Sequence, residues 1–111
     1  MKYLIIDDNP KMRKIISQII GLEEDSFKEC ADGIDASDAY AEYLPDYVLM
    51  DIQMKTMDGI SATRKLRERF PAARIIIITD YDTPAFRKAA IKAGALAFIS
   101  KENIIDIKKY I

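Results

Sequence analysis

Short apolar runs alternate with segments of helical periodicity along the whole chain. Five runs of four or five residues are predicted to be strands: Lys2–Ile6, Ser26–Cys30, Tyr47–Met50, Ile75–Ile78 and Ala97–Ser100. Most are continuously apolar, which is typical of strands covered on both faces. The second run is partly polar and is predicted to lie at a sheet edge, whereas the fourth, with four consecutive isoleucines, is the clearest strand.

A helix is predicted after each strand from capping residues and helical spacing. Asn9 and Pro10 suit the N-cap and first position of the first helix, and Gly21 its end. The apolar face of this helix is predicted to contain Ile15, Ile16, Ile19 and Ile20. The other predicted helices cover Ile34–Leu44, a segment from Asp58 to Pro71, a segment from Thr83 to Gly94, and Asn103–Ile111.

Strands that alternate with helices predict an α/β fold with a parallel sheet, helices on both faces and right-handed crossovers. The links are short, and no repeat or low-complexity segment interrupts the pattern. We therefore expect residues 1–111 to form one domain. Ligands of such sheets bind outside the carboxyl ends of the strands, at the switch in strand order.

Composition narrows the chemistry. The chain has 17 basic and 18 acidic residues, a net charge of −1, and no histidine. Histidine-dependent catalysis and His-ligated metal sites are therefore excluded, and there is no basic footprint for direct nucleic-acid binding. One cysteine, Cys30, cannot form an internal disulfide. No apolar run approaches the ~20 residues of a membrane span, so a cytoplasmic location is expected.

Polar residues follow four of the five predicted strands. They are Asp7 and Asp8, Asp51, Thr79, and Lys101. Three clustered carboxylates repel one another unless a cation neutralises them, and oxygen ligands alone favour a hard cation such as Mg²⁺. A hydroxyl and an ammonium beside them could hold the oxygens of a phosphoryl group. The set predicts phosphoryl transfer onto a carboxylate.

Within this set, Asp7 and Asp8 are interpreted as the metal-holding pair and Asp51 as the nucleophile, because it stands alone across the site. Each residue also has a simpler interpretation. A single Asp at a strand end is usually a turn residue or helix cap, Thr79 alone would be a cap, and Lys101 alone a solvated charge. The joint occurrence on the expected strands favours the functional interpretation.

The sequence resembles the receiver domain of two-component response regulators over essentially its whole length. The resemblance rests on LIIDDNP near the start, VLMDIQMKTMDG in the middle, IIIITD, and AGALAFISK near the end. It implies a flavodoxin-like, doubly wound sheet of five parallel strands in the order 2-1-3-4-5.

The resemblance also implies a role for each matching residue. Asp51 would be the phosphoacceptor, with a phosphohistidine of a separate sensor histidine kinase as donor. Mg²⁺ would be bound directly by Asp8, through water by Asp7, and by Asp51 and the backbone carbonyl of Gln53. The chain would promote its own aspartyl phosphorylation and dephosphorylation without being an enzyme in the usual sense. Because it has no histidine, it would receive the phosphoryl group rather than send it.

Lys101, Thr79 and Phe98 would form the switch. Lys101 would pair with Asp51 and then with the phosphoryl oxygens, and Thr79 would supply the hydroxyl that moves towards them. Phe98 stands where the family has its switch aromatic, although a fixed ring is the equal alternative.

Three positions depart from the family pattern. Lys55 and Glu102 replace prolines that are common after the acceptor-loop Met and after the family's Lys. Asp80 follows Thr79 where a small residue is usual. Its carboxylate could crowd the entrance and slow phosphoryl access or change phosphoryl lifetime, or it could point away. Gln53 and Tyr81 occupy variable positions that tune hydrolysis.

The surface of the fourth helix, fifth strand and fifth helix is expected to change shape on phosphorylation. It could bind a downstream protein, a tethered output domain or a second copy of the chain. Its charges, from Arg87, Lys88, Lys108 and Lys109, could equally be a solvated face. Ten residues follow Lys101, so no output domain is expected in this chain, which is either a stand-alone receiver or part of a longer regulator.

Two other functions fit the same fold. One is a receiver-like interaction module that works without phosphorylation, because Asp80 crowds the site. The other is a flavin-binding electron carrier, for which the link from Asp8 to Pro10 lacks the hydroxyl- and Gly-rich phosphate loop.

Overall fold

A computed structural model describes residues 1–111, and it contains one five-stranded parallel sheet. The strands are β1 (Lys2–Ile6), β2 (Ser26–Cys30), β3 (Tyr47–Met50), β4 (Ile75–Thr79) and β5 (Ala97–Ser100). Four α-helices connect them: α1 (Pro10–Ile20), α2 (Ala36–Tyr43), α3 (Gly59–Arg69) and α4 (Pro84–Lys92). A 3₁₀ turn (Gly33–Asp35) precedes α2, and a C-terminal 3₁₀ helix (Lys101–Lys109) follows β5.

The strand order is β2-β1-β3-β4-β5, and all four pairs are parallel. This confirms the predicted flavodoxin-like, doubly wound fold and the edge position of β2. The order reverses between β1 and β3, so the ends of these two strands form the switch point at which such sheets bind ligands.

The sheet buries apolar side chains on both faces, as the continuous runs predict. In β4, Ile75 and Ile77 belong to one core cluster and Ile76 and Ile78 to the other. The first cluster packs against α2, α3 and α4, and the second against α1 and the C-terminal 3₁₀ helix. This two-sided burial explains why isoleucine occupies consecutive positions of the strand.

An N-cap side chain fixes the start of three helices, and those of α1 and α4 lie where the sequence predicts them. Asn9 accepts a 2.9 Å hydrogen bond from the Lys11 amide, Asp58 a 2.9 Å bond from the Ser61 amide, and Thr83 a 3.1 Å bond from the Phe86 amide. These caps hold the loops that follow β1, β3 and β4, which are the loops at the carboxyl edge of the sheet.

Two predicted helices differ from the structure. The helix predicted over Ile34–Leu44 consists of the 3₁₀ turn followed by α2, because Asp32 accepts a hydrogen bond from the Ile34 amide and tightens the first turn. The helix predicted over Asn103–Ile111 is a 3₁₀ helix that begins earlier, at Lys101. Ser100 caps its start, and Asn103 has non-helical backbone angles.

The burial of two apolar residues also differs from the prediction. The isoleucine spacing places Ile15 on the inner face of α1, but this residue is 41% exposed, whereas Ile16 and Ile20 are buried. Tyr110 is exposed, and Ile107 is the buried residue of the last helix. The buried face of α1 is therefore narrower than the isoleucine spacing suggests.

None of the helices combines the length and apolar character that a bilayer crossing needs.

Candidate functional site

The carboxyl ends of β1, β3 and β5 bring a lysine against two buried acids. Lys101 Nζ lies 3.2 Å from Asp7 Oδ2 and 3.5 Å from Asp51 Oδ2. The carboxylates of both acids are almost fully buried, and the Lys101 side chain is 10% exposed. The structure therefore brings together side chains that are distant in sequence, as the strand pattern predicts.

Strand register explains this proximity. Ile6 pairs with Met50 in the parallel ladder between β1 and β3, so the residues that follow them, Asp7 and Asp51, emerge side by side. The ladder continues for one more hydrogen bond, from the Asp51 amide to the Ile6 carbonyl at 2.9 Å. The backbone thus fixes both acids on rigid strand ends before any side-chain interaction is considered.

The charges at this edge perturb one another. The pKa of Asp51 is raised from 3.8 to about 6, chiefly by burial and then by the nearby Asp7 carboxylate, while Lys101 opposes both. Burial lowers the pKa of Lys101, but Asp51 and Asp7 more than compensate and raise it above its ordinary value. Lys101 is therefore charged, and Asp51 holds its negative charge at a cost that a second cation would relieve.

The acidic residues fit a hard divalent cation. One carboxylate oxygen from each of Asp7, Asp8 and Asp51 lies within 4.8 Å of the others. The fully buried Asp7 Oδ2 accepts no hydrogen bond of good geometry, although the Lys101 ammonium lies near it. Asp8 is exposed and open to solvent. Buried and accessible oxygens together form the donor set that Mg²⁺ prefers. The carbonyl of Gln53 stays a predicted ligand.

Thr79 ends β4, and Phe98 lies within the neighbouring strand β5, where it pairs with Ile77. Thr79 is fully buried, and its hydroxyl oxygen accepts a 3.0 Å hydrogen bond from the Tyr81 amide and forms none with Asp51. Phe98 is buried with its ring 4.7 Å from the Arg87 guanidinium, which also donates to the Phe98 carbonyl at 3.2 Å. An inward Phe98 is compatible with both a switch aromatic and a fixed core ring.

Asp80 does not point away from the site. Its Oδ2 lies 3.9 Å from Lys101 Nζ, although the side chain is 71% exposed. Lys101 is thus the shared partner of two buried carboxylates and one at the surface. The sequence left the direction of this side chain open, and the structure turns it towards the entrance.

Two residues at the site were not assigned a role from the sequence. Gly59 begins α3 directly under Asp51, and a Cβ added to it would lie 1.8 Å from the Asp51 carbonyl oxygen. Asp32 accepts hydrogen bonds from the amides of Thr56 and Met57 in the loop after β3. Each belongs to an Asp-Gly pair in which the Asp is the N-cap and the Gly the first residue of a helical segment, and this repeated pair is the signal that could have drawn attention to both.

Comparisons with known proteins agree with this geometry. The sequence model described as "Response regulator receiver domain" matches residues 3–111. The chain is 39% identical over 98 residues to "Chemotaxis protein CheY" of Halobacterium salinarum, covering 88% of this chain and 82% of that protein. It is 32% identical over 109 residues to "Transcriptional regulatory protein DegU" of Brevibacillus brevis, covering 96% of this chain but 46% of that protein. The chain spans about half the length of several such regulators.

Solved structures of similar shape point the same way. A two-component response regulator of the LuxR family from Aurantimonas superposes with a TM-score of 0.90 at 32% identity, covering 97% of this chain and 79% of that one. A chain of the CheX–CheY–BeF3–Mg²⁺ complex from Borrelia burgdorferi superposes with a TM-score of 0.85 at 28% identity, covering 98% and 84%.

Proposed function

Because the chain belongs to the response regulator receiver domain family, we propose that Asp51 accepts a phosphoryl group from a sensor histidine kinase. The observation that carries this proposal is the position of the Lys101 ammonium, 3.5 Å from Asp51 and 3.2 Å from Asp7. This ammonium is a positive charge held beside the acceptor carboxylate within a buried acidic site. The single family match over residues 3–111 supports one receiver domain in this chain.

The proposed reaction is an in-line displacement at phosphorus. An oxygen of Asp51 forms the new P–O bond while the P–N bond of the donor phosphohistidine breaks, and the electron pair stays on the ring nitrogen. With its other nitrogen protonated, the donor ring leaves as neutral imidazole. The product on this chain is an acyl phosphate. The donor histidine lies outside these 111 residues, which contain none.

Each residue of this chain has a limited task in that reaction. The ammonium of Lys101 stabilises the negative charge brought by the phosphoryl oxygens. Asp7 and Asp8, with Asp51 and the Gln53 carbonyl, would hold Mg²⁺, which when bound neutralises the charge that the acids and the phosphoryl group share. The chain acts on its own carboxylate, so it is a signalling module rather than an enzyme with a separate substrate.

Phosphorylation would then act as a switch. The added oxygens attract Lys101 and the hydroxyl of Thr79, which exchanges its present hydrogen bond with the Tyr81 amide for one with the phosphoryl group. Movement of Thr79 frees space near Phe98, whose ring is held by Arg87. The equilibrium between two arrangements of β4, α4 and β5 carries the signal.

The surface that would report this change is formed by α4, β5 and the C-terminal 3₁₀ helix. Along α4 it carries an apolar groove with basic margins, lined by Pro84, Arg87, Lys88, Ile91 and Lys92. Such a mixture suits a downstream protein or a tethered output domain, and a second copy of the chain is the other candidate. We propose no direct contact with nucleic acid or membrane for this domain.

Labelling of Asp51 tests the proposed function. The purified chain, incubated with Mg²⁺ and a small phosphodonor such as phosphoramidate, is expected to gain the mass of one phosphoryl group. The label should be lost in the variant Asp51→Asn and be absent when EDTA removes the cation. Intact-mass spectrometry measures both results. Persistent labelling of Asp51→Asn at another residue would overturn the assignment.

A second function, a receiver-like interaction module that needs no phosphorylation, is favoured by the carboxylate of Asp80 near Lys101. It predicts neither Mg²⁺ affinity nor labelling in the experiment above. Partner binding would then be the same for the wild type and for Asp51→Asn.

The variant Asp80→Asn is expected to be phosphorylated faster than the wild type. The substitution removes a competing anion 3.9 Å from Lys101 and part of the repulsion on an anionic donor. Since an exposed ion pair is worth up to about 1 kcal/mol, the rate constant should rise about two- to fivefold at low salt and less at high salt. Stopped-flow measurements with acetyl phosphate check this, with Glu68→Gln, an exposed charge on α3, as the control. Equal rates at all salt concentrations would contradict it.

A further inference from the structure

The loop between β3 and α3 has few hydrogen bonds of its own. At its start, the Ile52 amide bonds to Asp51 Oδ1 at 2.8 Å, and the Ile52 carbonyl accepts from the Gly59 amide at 2.8 Å. Between these points, the well-formed hydrogen bonds of the backbone of residues 53–57 are two, and both go to one side chain. That side chain is Asp32, from the turn after β2.

Asp32 binds this loop with both carboxylate oxygens. Its Oδ2 accepts from the Thr56 amide at 2.7 Å, and its Oδ1 accepts from the Met57 amide at 3.0 Å and from the Ile34 amide at 2.9 Å. Burial raises the pKa of Asp32, but these amide donors more than offset this and hold it below its ordinary value. The ionised form is therefore the one that binds the loop, through charge-assisted hydrogen bonds.

The neighbouring residue presses the same turn against the same loop. A Cβ added to Gly33 would lie 2.6 Å from the Met57 carbonyl oxygen and 3.0 Å from the Cβ of Ala62. The close approach needs a glycine at this position, and it fixes the distance at which Asp32 meets the Thr56 and Met57 amides. Turn and loop are thus joined by polar contacts on one side and close packing on the other.

We propose that Asp32 is a positioning residue for the phosphorylation site. It holds the loop that carries Gln53, and so sets where the Gln53 carbonyl stands relative to Asp51. A proline at position 55 would restrict the backbone of this loop, whereas Lys55 does not. The loop therefore depends more on an anchor outside itself. The proposal rests on the proposed function, because the position of Gln53 matters only if the acidic site takes a cation.

Asp32→Ala is the variant that tests this role. In the metal-free protein, amide hydrogen exchange at Thr56 and Met57 should accelerate at least about tenfold, since each loses its acceptor. The Mg²⁺ concentration that gives half-maximal phosphorylation by phosphoramidate should rise about three- to tenfold, as expected for a misplaced ligand. Asp32→Asn keeps one acceptor oxygen, but its NH₂ group would face a backbone NH, donor against donor. Its exchange rates and Mg²⁺ requirement should therefore lie between those of the wild type and Asp32→Ala.

Asp46→Ala is the matched control. Asp46 also accepts a hydrogen bond from a backbone amide, that of Lys2 at 2.8 Å, but at the opposite edge of the sheet. It should change neither the exchange of the loop amides nor the Mg²⁺ requirement, even if it lowers stability equally.

The outcomes separate the two claims. If the wild type is phosphorylated and Asp32→Ala has the same Mg²⁺ requirement, Asp32 is a structural turn residue and the inference is wrong. If the wild type is neither labelled nor binds Mg²⁺, the proposed function fails first and this inference falls with it. Should Asp32→Ala not fold, Asp32→Asn decides between the same alternatives.

Discussion

The variant Gly59→Ala is expected to lose about 3 kcal/mol or more of its free energy of unfolding and to lose phosphorylation as well. The new Cβ would lie 1.8 Å from the Asp51 carbonyl oxygen and 2.7 Å from its carbonyl carbon, and both belong to rigid backbone. Overpacking in a close-packed region costs about 1–3 kcal/mol, and more when backbone must move. The start of α3 would have to shift away from β3, and the hydrogen bond from the Gly59 amide to Ile52 would be lost.

Chemical denaturation followed by circular dichroism measures this change, and the labelling experiment measures the loss of function. Arg64→Ala, an exposed substitution on the same helix, should stay within about 0.5 kcal/mol of the wild type. Wild-type stability in the Gly59→Ala variant would mean that the first turn of α3 can move freely, contrary to the contacts described above.

The variant Asp51→Asn is expected to be more stable than the wild type at pH 7 without a divalent cation. In the folded protein, burial beside Asp7 raises the pKa of Asp51 from 3.8 to about 6, so its charge at neutral pH opposes folding. Each pKa unit corresponds to about 1.4 kcal/mol, and solvent screening reduces the total, which leaves a gain of about 1–2 kcal/mol for the neutral amide. Urea denaturation in EDTA measures it.

The pH dependence has a defined sign. Because the folded pKa of Asp51 lies above its ordinary value, the folded state binds the proton more tightly, and this group's contribution to stability is lost as pH rises from about 4 through about 6. Asp51→Asn lacks that loss, so its advantage should vanish near pH 4. Asp38→Asn, an exposed acid on α2, is the control and should show no gain.

Added Mg²⁺ separates this effect from general packing. A cation that binds only the folded protein raises stability with its concentration, and it should stabilise the wild type more than the variant, which lacks one carboxylate. The difference between the two proteins should therefore shrink as Mg²⁺ is added. A variant that is less stable than the wild type at pH 7 would show that the Lys101 contact outweighs the burial of charge.

Much of the site followed from the sequence because strand ends are easy to locate. Asp7, Asp51 and Lys101 directly follow the apolar runs, and parallel pairing places the ends of these strands at one edge of the sheet. The start of α3 and the caps of α1 and α4 also followed from local signals. Local patterns succeed here because a cap or a strand end depends on a few neighbouring residues.

The geometry of the last helix and the buried face of α1 were harder to predict from the sequence. The 3₁₀ geometry after Lys101 and the exposure of Ile15 depend on how each segment meets the sheet, and an apolar spacing alone does not specify this. The same limit applies to Asp80. The sequence shows an aspartate at this position, but the direction of its side chain depends on the position of Lys101, which follows another strand.

The sequence by itself determined the order of elements, a parallel sheet with helices on both faces, and the acidic residues with their lysine, since these depend on periodicity and on residues at strand ends. Only the tertiary structure decided that Asp32 anchors the loop after β3, that Gly59 must lack a side chain, and that Lys101 is shared by three carboxylates. The contacts of Asp32 and Lys101 join segments far apart in the chain, and that of Gly59 joins the start of a helix to the end of a strand. Their distances follow from packing of the whole domain, which no local pattern contains.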